Sequence, residues 1–256
     1  MNLIRTELRK IIHYPTFWTI MAIYVLLQVL LIYFSSNLMV SGQSLGKSLY
    51  DFPNIWMRFS YIAYFFNLLL GILLIVLITD EYSFRTLRQQ VIDGRSRAEA
   101  VLAKFYVTLG LAAAGTVFLL AMGLLFGLIY STNTSIEAIF SKIDYLSYFF
   151  VQAVGYMCLA MFFAFLIRKS GLAIIAFLAW SKIVEPIIHY QMDDRIDRFM
   201  PMKVFGSLTP TPGQELIDGL TSPTMALSPG WAVLPALVYI ALLVFGSILL
   251  VRLRDL

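Results

Sequence analysis

The chain has 256 residues, of which 60% are hydrophobic and only 13% are charged. Soluble domains usually have about a quarter of their residues charged, so this composition predicts an integral membrane protein. The formal net charge of +4 does not indicate nucleic-acid binding, because the basic residues are dispersed among apolar blocks. Cys158 is the only cysteine, which excludes an intrachain disulfide and a metal site built from several cysteines.

Residues 1–15 are the first predicted element, an amphipathic helix. Its leucines and isoleucines recur at helical spacing on one face, and its arginines and His13 lie elsewhere. A helix of this kind lies along a membrane surface. A simple basic membrane anchor is the alternative interpretation of the same pattern.

Six apolar stretches are long enough, at about 20 residues each, to cross a bilayer as helices. They are residues 17–35, 60–79, 103–130, 145–167, 171–190 and 231–251. The fourth and fifth stretches are so close that a tight turn must join them. The sequence therefore predicts an all-α integral membrane fold with six transmembrane helices in a single domain, residues 1–256.

The distribution of Lys and Arg predicts the orientation of these spans. Twelve basic residues fall on one side, in the N-terminal segment, in residues 80–104, at 168–169 and at 252–254, and six fall on the other. Cytoplasmic loops carry an excess of Lys and Arg. We therefore expect both termini in the cytoplasm and the chain in the cell inner membrane.

The segment after the first span contains SGQSLGKS, residues 41–48, which is close to the phosphate-binding pattern G-x-x-x-x-G-K-[ST]. Its first position is Ser41 instead of glycine, no strand precedes it, and it falls on the predicted outer side. We therefore expect this chain to bind no nucleotide and no other cofactor.

The polar segment between the second and third spans has its own helix signals. Glu81 and Arg85 are one helical turn apart, and Gly94 can end a helix in the left-handed conformation. Ser96 and Glu99 form a capping box that begins the next helix. The segment is predicted to be a helix, a sharp corner and a second helix. An ordinary basic cytoplasmic loop near lipid headgroups is the alternative.

Several of these residues form a pattern: Glu81, then FRTL at 84–87, then GRSR at 94–97, then Lys104. The pattern resembles the first cytoplasmic loop of type-2 permeases of ATP-binding-cassette (ABC) exporters. Two positions depart from it, since Arg85 stands where a glycine is common and Gly94 follows Asp93 where a proline is common. The N-terminal segment also resembles the opening of these permeases.

The resemblance implies that residues 80–104 contain a coupling helix, which docks on separate cytoplasmic ABC ATPase subunits. Those subunits would bind ATP and Mg²⁺, and the permease would pair with a second copy or a sister permease for export. The residues implied in ATPase coupling are Glu81, Arg85, Thr86, Arg88, Gly94, Arg95, Ser96, Arg97 and Lys104. In the N-terminal connecting helix the corresponding residues are Glu7 and Lys10.

The third span contains two pairs of small residues spaced four apart, Gly123 with Gly127 and Gly110 with Ala114. Such spacing lets helices approach closely. We expect these positions to pack within one subunit more than to form a dimer seam.

The fifth span contains WSKIVEP, in which Lys182 and Glu185 are three residues apart. On a regular α-helix they would share a face and form a local ion pair, which lowers the cost of a charge in the membrane. The alternative is a polar gating position that lines a translocation path. Pro186 lacks the N–H that would bond to the Lys182 carbonyl, so this turn should be weakened.

Residues 191–230 are a predicted external segment rich in Pro and Gly. The resemblance implies short helices that cover an outer exit, and a disordered loop is the alternative. The acidic run at 193–197 matches a pattern that holds Mg²⁺ in some membrane enzymes, but we expect a solvated helix end and no metal. His189 lies one turn after Glu185.

Two other functional classes remain open on the sequence alone. One is a membrane-embedded binding or immunity protein that does not transport, and the other is a membrane enzyme that uses the external acidic residues. A non-enzymatic permease is the interpretation we favour, with the lipid bilayer and ATPase subunits as partners and no role in nucleic-acid binding.

Overall fold

The computed structural model describes residues 3–35, 39–40, 43–44, 49–212 and 226–254. Most of these residues are helical, and a two-residue antiparallel pair is formed by β1 (Met39–Val40) and β2 (Gln43–Ser44). In chain order the helices are α1 (Leu3–Ile12), α2 (Pro15–Ser35), α3 (Ile55–Tyr64), α4 (Asn67–Ser83), α5 (Thr86–Ile92), α6 (Arg97–Tyr130), α7 (Ile136–Phe140), α8 (Asp144–Ile167), α9 (Ser170–Ala179), α10 (Glu185–Gln191), α11 (Asp194–Asp197), α12 (Pro201–Ser207) and α13 (Pro229–Leu253), with a π-helical turn at Trp180–Val184 between α9 and α10.

Within the described residues, five helical stretches are long and apolar enough to cross a membrane. They are Pro15–Phe34, Arg97–Tyr130, Ile136–Ile167, Ser170–Gln191 and Pro229–Leu253. Helices α3 and α4 make a sixth crossing if they are taken together. The predicted class, an all-α integral membrane protein, is therefore confirmed.

The second span differs from the straight helix predicted over residues 60–79. Helices α3 and α4 meet at a 44° bend, between Tyr64 and Asn67. Neither Pro nor Gly occurs in this part of the sequence, so the usual signals for a kink are missing. The side chain of Asn67 is buried just after the bend, 3.5 Å from the amide oxygen of Gln152.

Helix α8 forms the centre of the bundle and contacts α4, α6, α9 and α13. Two thirds of the apolar stretch that includes it is buried, against 17% for the stretches of α2 and of α13. The apolar faces of α2 and α13 are therefore exposed on the outside of the bundle. In a membrane protein such faces contact lipid or another subunit.

The glycine pair in α6 packs against aromatic rings of the same chain. A Cβ on Gly123 would lie 2.4 Å from the Trp56 ring, and a Cβ on Gly127 would lie 2.3 Å from the Phe52 ring. The Trp56 indole also donates a hydrogen bond of 2.7 Å to the Ile139 carbonyl. The expectation of packing within one subunit is confirmed for Gly123 and Gly127.

The second pair of small residues in α6, Gly110 with Ala114, is exposed. A Cβ on Gly110 would have no atom of the other described helices within 4 Å. The expectation of packing within one subunit is therefore wrong for this pair.

The two ends of the bundle are distinct. At one end, here called the terminal end, α1 and α5 contact α6, and Arg97 at the start of α6 donates hydrogen bonds to carbonyls in the last turn of α13. At the other, here called the far end, the loop at 131–143 hydrogen-bonds to the segment that precedes α3, and α12 packs on α13.

Candidate functional site

Four charged side chains form a cluster at the terminal end, here called the ionic cluster: Glu7, Glu81 and Lys104, which are buried, and Lys10, which is partly exposed. Lys104 Nζ lies 2.5 Å from Glu7 Oε2 and 2.8 Å from Glu81 Oε1. Lys10 Nζ lies 3.0 Å from Glu7 Oε1 and 2.9 Å from Glu81 Oε1. Each lysine therefore bridges both glutamates, and Arg95 approaches Glu7 from the side at 3.6 Å.

The cluster joins three helices because each contributes its charge at a fixed point. Glu7 and Lys10 are three residues apart on α1 and share its inward face. Glu81 lies near the end of α4, and Lys104 lies in the second turn of α6. Helix α1 is thus tied to both helices that flank the polar segment.

Because these groups are shielded from water, the loss of one partner would cost more free energy than at the protein surface. The side chain of Glu7 is only 2% exposed, and a buried charge is costly unless oppositely charged groups surround it. Burial alone raises the pKa of Glu7, but Lys104 and Lys10 together hold that pKa below its ordinary value. Burial likewise lowers the pKa of Lys10, and Glu81 and Glu7 more than reverse this, so that its pKa is raised. Both groups stay charged at neutral pH.

The polar segment between α4 and α6 has the predicted geometry of helix, corner and helix. Gly94 has a φ of 96°, in the left-handed region that glycine tolerates. The Ser96 hydroxyl accepts a 3.1 Å hydrogen bond from the Glu99 amide, and the Glu99 carboxylate accepts one of 2.9 Å from the Ser96 amide. The capping box is therefore confirmed. In α5, Leu87 is buried on the face toward the bundle.

Arg85, the residue directly before α5, is in the left-handed conformation, with a φ of 57°. This is the position where the resemblance expects a glycine, and the backbone geometry explains why, since a side chain in this region costs about 1–2 kcal/mol. The neighbouring Thr86 hydroxyl donates a 3.4 Å hydrogen bond to the Glu81 carbonyl. The turn is thus connected directly to the ionic cluster.

The outer side of the corner carries both basic and apolar side chains. Phe84 is 72% exposed and Ile92 is 68% exposed, and Arg85 and Arg88 are exposed beside them. These four residues are here called the corner surface. Phe84 and Ile92 were not predicted as site residues, although two apolar side chains inside a polar segment are a signal that the sequence contains.

Two arginines that the resemblance implies in ATPase contacts turn toward their own chain. Arg95 donates a 2.8 Å hydrogen bond to the Gln90 side chain. Arg97 donates to the carbonyls of Val251 and Arg252 at the end of α13, at 3.2 and 2.9 Å. A cation at a helix C-terminus is favourable. Arg97 therefore ties the corner to the last span.

The local ion pair expected between Lys182 and Glu185 is wrong. Lys182 is exposed, with its Nζ 5.5 Å from the centre of the Tyr64 ring. Glu185 is buried and accepts a 2.5 Å hydrogen bond from the backbone amide of Met202, in the first turn of α12. The reason is the π-helical turn at Trp180–Val184, whose wider spacing removes the shared face of residues three apart.

The irregular turn lies directly before Pro186, which is at the start of α10. A proline cannot donate the bond that a regular helix would need at this point. The amide of Glu185 bonds instead to the carbonyl of Trp180, five residues earlier. The weakened turn predicted from Pro186 is therefore present as a π-turn.

A second polar group lies at the far end, here called the far-end cluster: Glu185, His189, Asp197 and Lys203. The His189 ring contacts Asp197 and lies 3.6 Å from Glu185, and Lys203 forms an ion pair with Asp197. Asp197 is buried, so our expectation that the acidic run is a solvated helix end is wrong for this residue. It is buried there because Lys203 pairs with its charge and the His189 ring contacts it.

The structure gives little information on the other sites that were considered from the sequence. Of residues 41–48, the structure describes only Gln43 and Ser44, which form β2. Residues 213–220, a part of the external segment where short helices were expected, also lie outside the described residues. Among the residues that are described, no group of three or more His, Cys, Asp or Glu could hold a metal ion. Cys158 is buried and forms no disulfide.

These features are those of a multi-pass helical membrane protein with a structured polar corner at one end. Residues 3–181 match the family described as ABC-2 family transporter protein. The chain belongs to this family, and it is a type-2 ABC transporter permease. A search of curated proteins found no match.

Proposed function

We propose that this chain is the permease subunit of an ABC exporter and that its corner surface docks on a separate ATPase. The observation that carries the proposal is the exposure of Phe84 and Ile92 next to Arg85 and Arg88. Exposed apolar side chains rimmed by charge are typical of protein interaction sites. In this proposal the terminal end is cytoplasmic, and ATP and Mg²⁺ are bound by the partner.

The ionic cluster supports a mechanical role for the corner. A docking surface can move a membrane helix only if the two are rigidly connected. Glu81 at the end of α4 and Lys104 in α6 are both held through buried ion pairs, and Arg97 holds the end of α13. A displacement of the corner by the ATPase is thus transmitted to three spans and to α1.

A second permease copy, identical or a sister, completes the proposal. The described spans pack around α8, whereas α2 and α13 leave apolar faces outside the bundle. A pathway lined by two subunits uses such faces at the junction. The short helices α11 and α12 would cover its outer exit, held by Glu185 and by a hydrogen bond from Tyr239 to the Phe199 carbonyl.

Charge reversal on the corner surface tests the coupling. The double variant Arg85→Glu, Arg88→Glu should abolish substrate-stimulated ATP hydrolysis by the reconstituted complex, because both side chains point away from their own chain. The measurement is the ATPase rate of the permease–ATPase complex in proteoliposomes, together with recovery of the ATPase during purification.

Lys169→Glu is the matched control, since Lys169 is an exposed cation at the same end of the bundle but outside the corner. It should retain normal coupling. Normal ATP hydrolysis and normal co-purification in the Arg85, Arg88 double variant would refute the proposed docking site.

A further inference from the structure

Lys182 is a charged side chain that lies in the middle of a span and on the outside of the bundle. It is exposed, and it lies nine residues before Gln191, where its span ends. At about 1.5 Å per residue this places it about 13 Å inside the end of the span, in a hydrocarbon core about 30 Å thick. A lysine at this depth is unfavourable in contact with lipid, and such residues almost always face the bundle interior or a water-filled cavity.

No carboxylate of the described residues compensates this charge. Lys182 takes part in none of the ion pairs in the described part of the chain. Glu185 is directed instead to the backbone amide of Met202. The contact of Lys182 with the Tyr64 ring offsets only part of the cost of a charge at this depth. A favourable partner for Lys182 is therefore an anion from outside the described residues.

A second copy of the chain offers no suitable carboxylate from these spans. In the other described helices of the spans, acidic residues lie only in the first or last turn: Asp80, Glu81, Glu99, Glu137 and Asp144. In a dimer of parallel copies each of these groups keeps its depth, near an end of its span and away from the depth of Lys182. The anion is therefore better supplied by a separate molecule.

Two interruptions of regular helix meet at Lys182. The residue lies in the π-helical turn Trp180–Val184, and its Nζ is 5.5 Å from the ring of Tyr64, the last residue of α3 before the 44° bend. Irregular backbone at membrane depth is tolerated where it is buried in protein or lines a water-filled cavity. Single π-helical turns are also frequent at functional sites. Because Lys182 is exposed, the cavity is the case that fits.

Apolar side chains lie next to the lysine and its aromatic partner. Phe65 is 47% exposed, and its ring centre is 5.2 Å from that of Tyr64. Ile183, which follows Lys182 in the chain, is also exposed. The surface thus combines one cation with aromatic and aliphatic contact area. This combination suits a molecule with an anionic headgroup and a hydrocarbon body.

We propose that Lys182 binds the anionic headgroup of a transported amphiphile, a carboxylate or a phosphate, whose hydrocarbon body contacts Phe65 and Ile183. This inference rests on the proposed function, since it assigns the surface to the translocation path. The Lys182 ammonium holds the headgroup through a charge-assisted hydrogen bond, which is a strong one. A resident lipid is not the occupant, because its headgroup stays at the membrane surface.

The probe that tests this site is decyl phosphate carrying a diazirine near its headgroup. It is used on the full-length protein in phosphatidylcholine nanodiscs without an ATPase. A phosphate monoester is negatively charged at neutral pH. We expect photolabelling of the peptides that contain Phe65 or Ile183, with much less labelling by the matching diazirine decanol. Equal labelling by the phosphate and the alcohol, or labels confined to other peptides, would overturn the proposal.

Substitutions at Lys182 separate charge recognition from folding. Lys182→Met, which removes the charge from a side chain of similar length, should weaken decyl phosphate labelling about ten- to hundredfold. Lys182→Arg keeps a cation and should retain most of the labelling. Lys169→Met, at an exposed lysine directly before the same span, should label like wild type. Wild-type labelling of Lys182→Met, or equally weak labelling of the Met and Arg variants, would contradict the site.

Replacing part of the phosphatidylcholine with phosphatidylglycerol separates a transported molecule from an anionic lipid headgroup. Unchanged labelling is the expected result. Labelling suppressed to the level of Lys182→Met would show that lipid headgroups occupy the site, and would overturn the proposal. Because the labelling needs no ATPase, its failure is distinct from a failure of the docking proposal, which the Arg85, Arg88 double variant reports.

Discussion

The two polar clusters, one at each end of the bundle, compensate buried charges in different ways. The ionic cluster pairs two lysines with two glutamates from three helices. The far-end cluster places the buried Glu185 against a backbone amide of α12 and a histidine. The first connects long helices through strong charges, and the second holds a short outer helix through one hydrogen-bonded carboxylate. A rigid connection at one end and a separately held short helix at the other fit the transport role proposed above.

Among the variants that test this comparison, Lys104→Met should lower the free energy of unfolding the most. It leaves Glu7 buried without its closest cation, which costs about 3–5 kcal/mol. The measurement is the free energy of unfolding in detergent micelles, or the shift of the thermal midpoint. Adding Glu7→Gln should restore part of the loss, because no unpaired charge then remains. Lys169→Met is the control and should unfold like wild type. Equal stability of Lys104→Met and Lys169→Met would rule out a structural role for the ionic cluster.

Acid should weaken the same cluster by a smaller amount, because a protonated Glu7 can still form hydrogen bonds. Although burial alone raises its pKa, Lys104 and Lys10 hold the pKa of Glu7 below its ordinary value of 4.5. A carboxyl with a lowered pKa stabilises the fold above the unfolded-state pKa, and this contribution is lost as the pH falls through the folded-state pKa. Thermal midpoints of wild type and Glu7→Gln should therefore differ at neutral pH and converge in acid. A constant difference from about pH 7 to pH 3 would contradict this account.

At the far end, Glu185→Leu should cost about 1–3 kcal/mol, since it leaves the Met202 amide without its acceptor. Lys182→Leu should cost less, because an exposed cation over an aromatic ring contributes about 0.5–1 kcal/mol. Among the described residues the two side chains share no hydrogen-bond or ion-pair partner, so the double variant should be additive to within about 0.5 kcal/mol. A coupling energy well above that would restore the ion pair expected from the sequence.

The smallest effect is expected at Arg85. Arg85→Gly should stabilise the turn by up to about 1 kcal/mol, because glycine removes the strain of a positive φ. Arg88→Gly, inside α5, should instead destabilise by about 1 kcal/mol, because glycine is a poor helix former. Opposite signs in the two thermal shifts are the expected result. A loss of stability in both variants would mean that the Arg85 side chain itself stabilises the turn.

Features set by neighbouring residues were predictable from the sequence. The left-handed Gly94 and the reciprocal hydrogen bonds of Ser96 and Glu99 follow from local rules that need no tertiary structure. Glu7 and Lys104 are 97 positions apart, and their pairing depends on how α1 packs against α6. The resemblance to exporter permeases drew attention to both residues but did not indicate that they meet.

Other features depended on packing that no sequence pattern revealed. The partner of Glu185 is a backbone amide 17 residues later, so its side-chain chemistry gave no hint of the contact. The bend before Asn67 occurs without Pro or Gly. Arg97 looked like a surface residue of a basic loop, and only the position of the α13 C-terminus shows why it turns inward.

The most direct test of the central claim is site-specific photo-crosslinking at the corner surface. A benzophenone amino acid in place of Phe84 should form an adduct with an ATP-hydrolysing polypeptide in the native membrane, because Phe84 lies at the proposed docking contact. The same substitution at Phe140, an aromatic at the far end that is 61% exposed, is the control and should give no such adduct. An ATPase adduct from Phe84 alone is the predicted result. No ATPase adduct at Phe84, or equal adducts at both positions, would contradict the proposal that this corner receives the force of a separate ATPase.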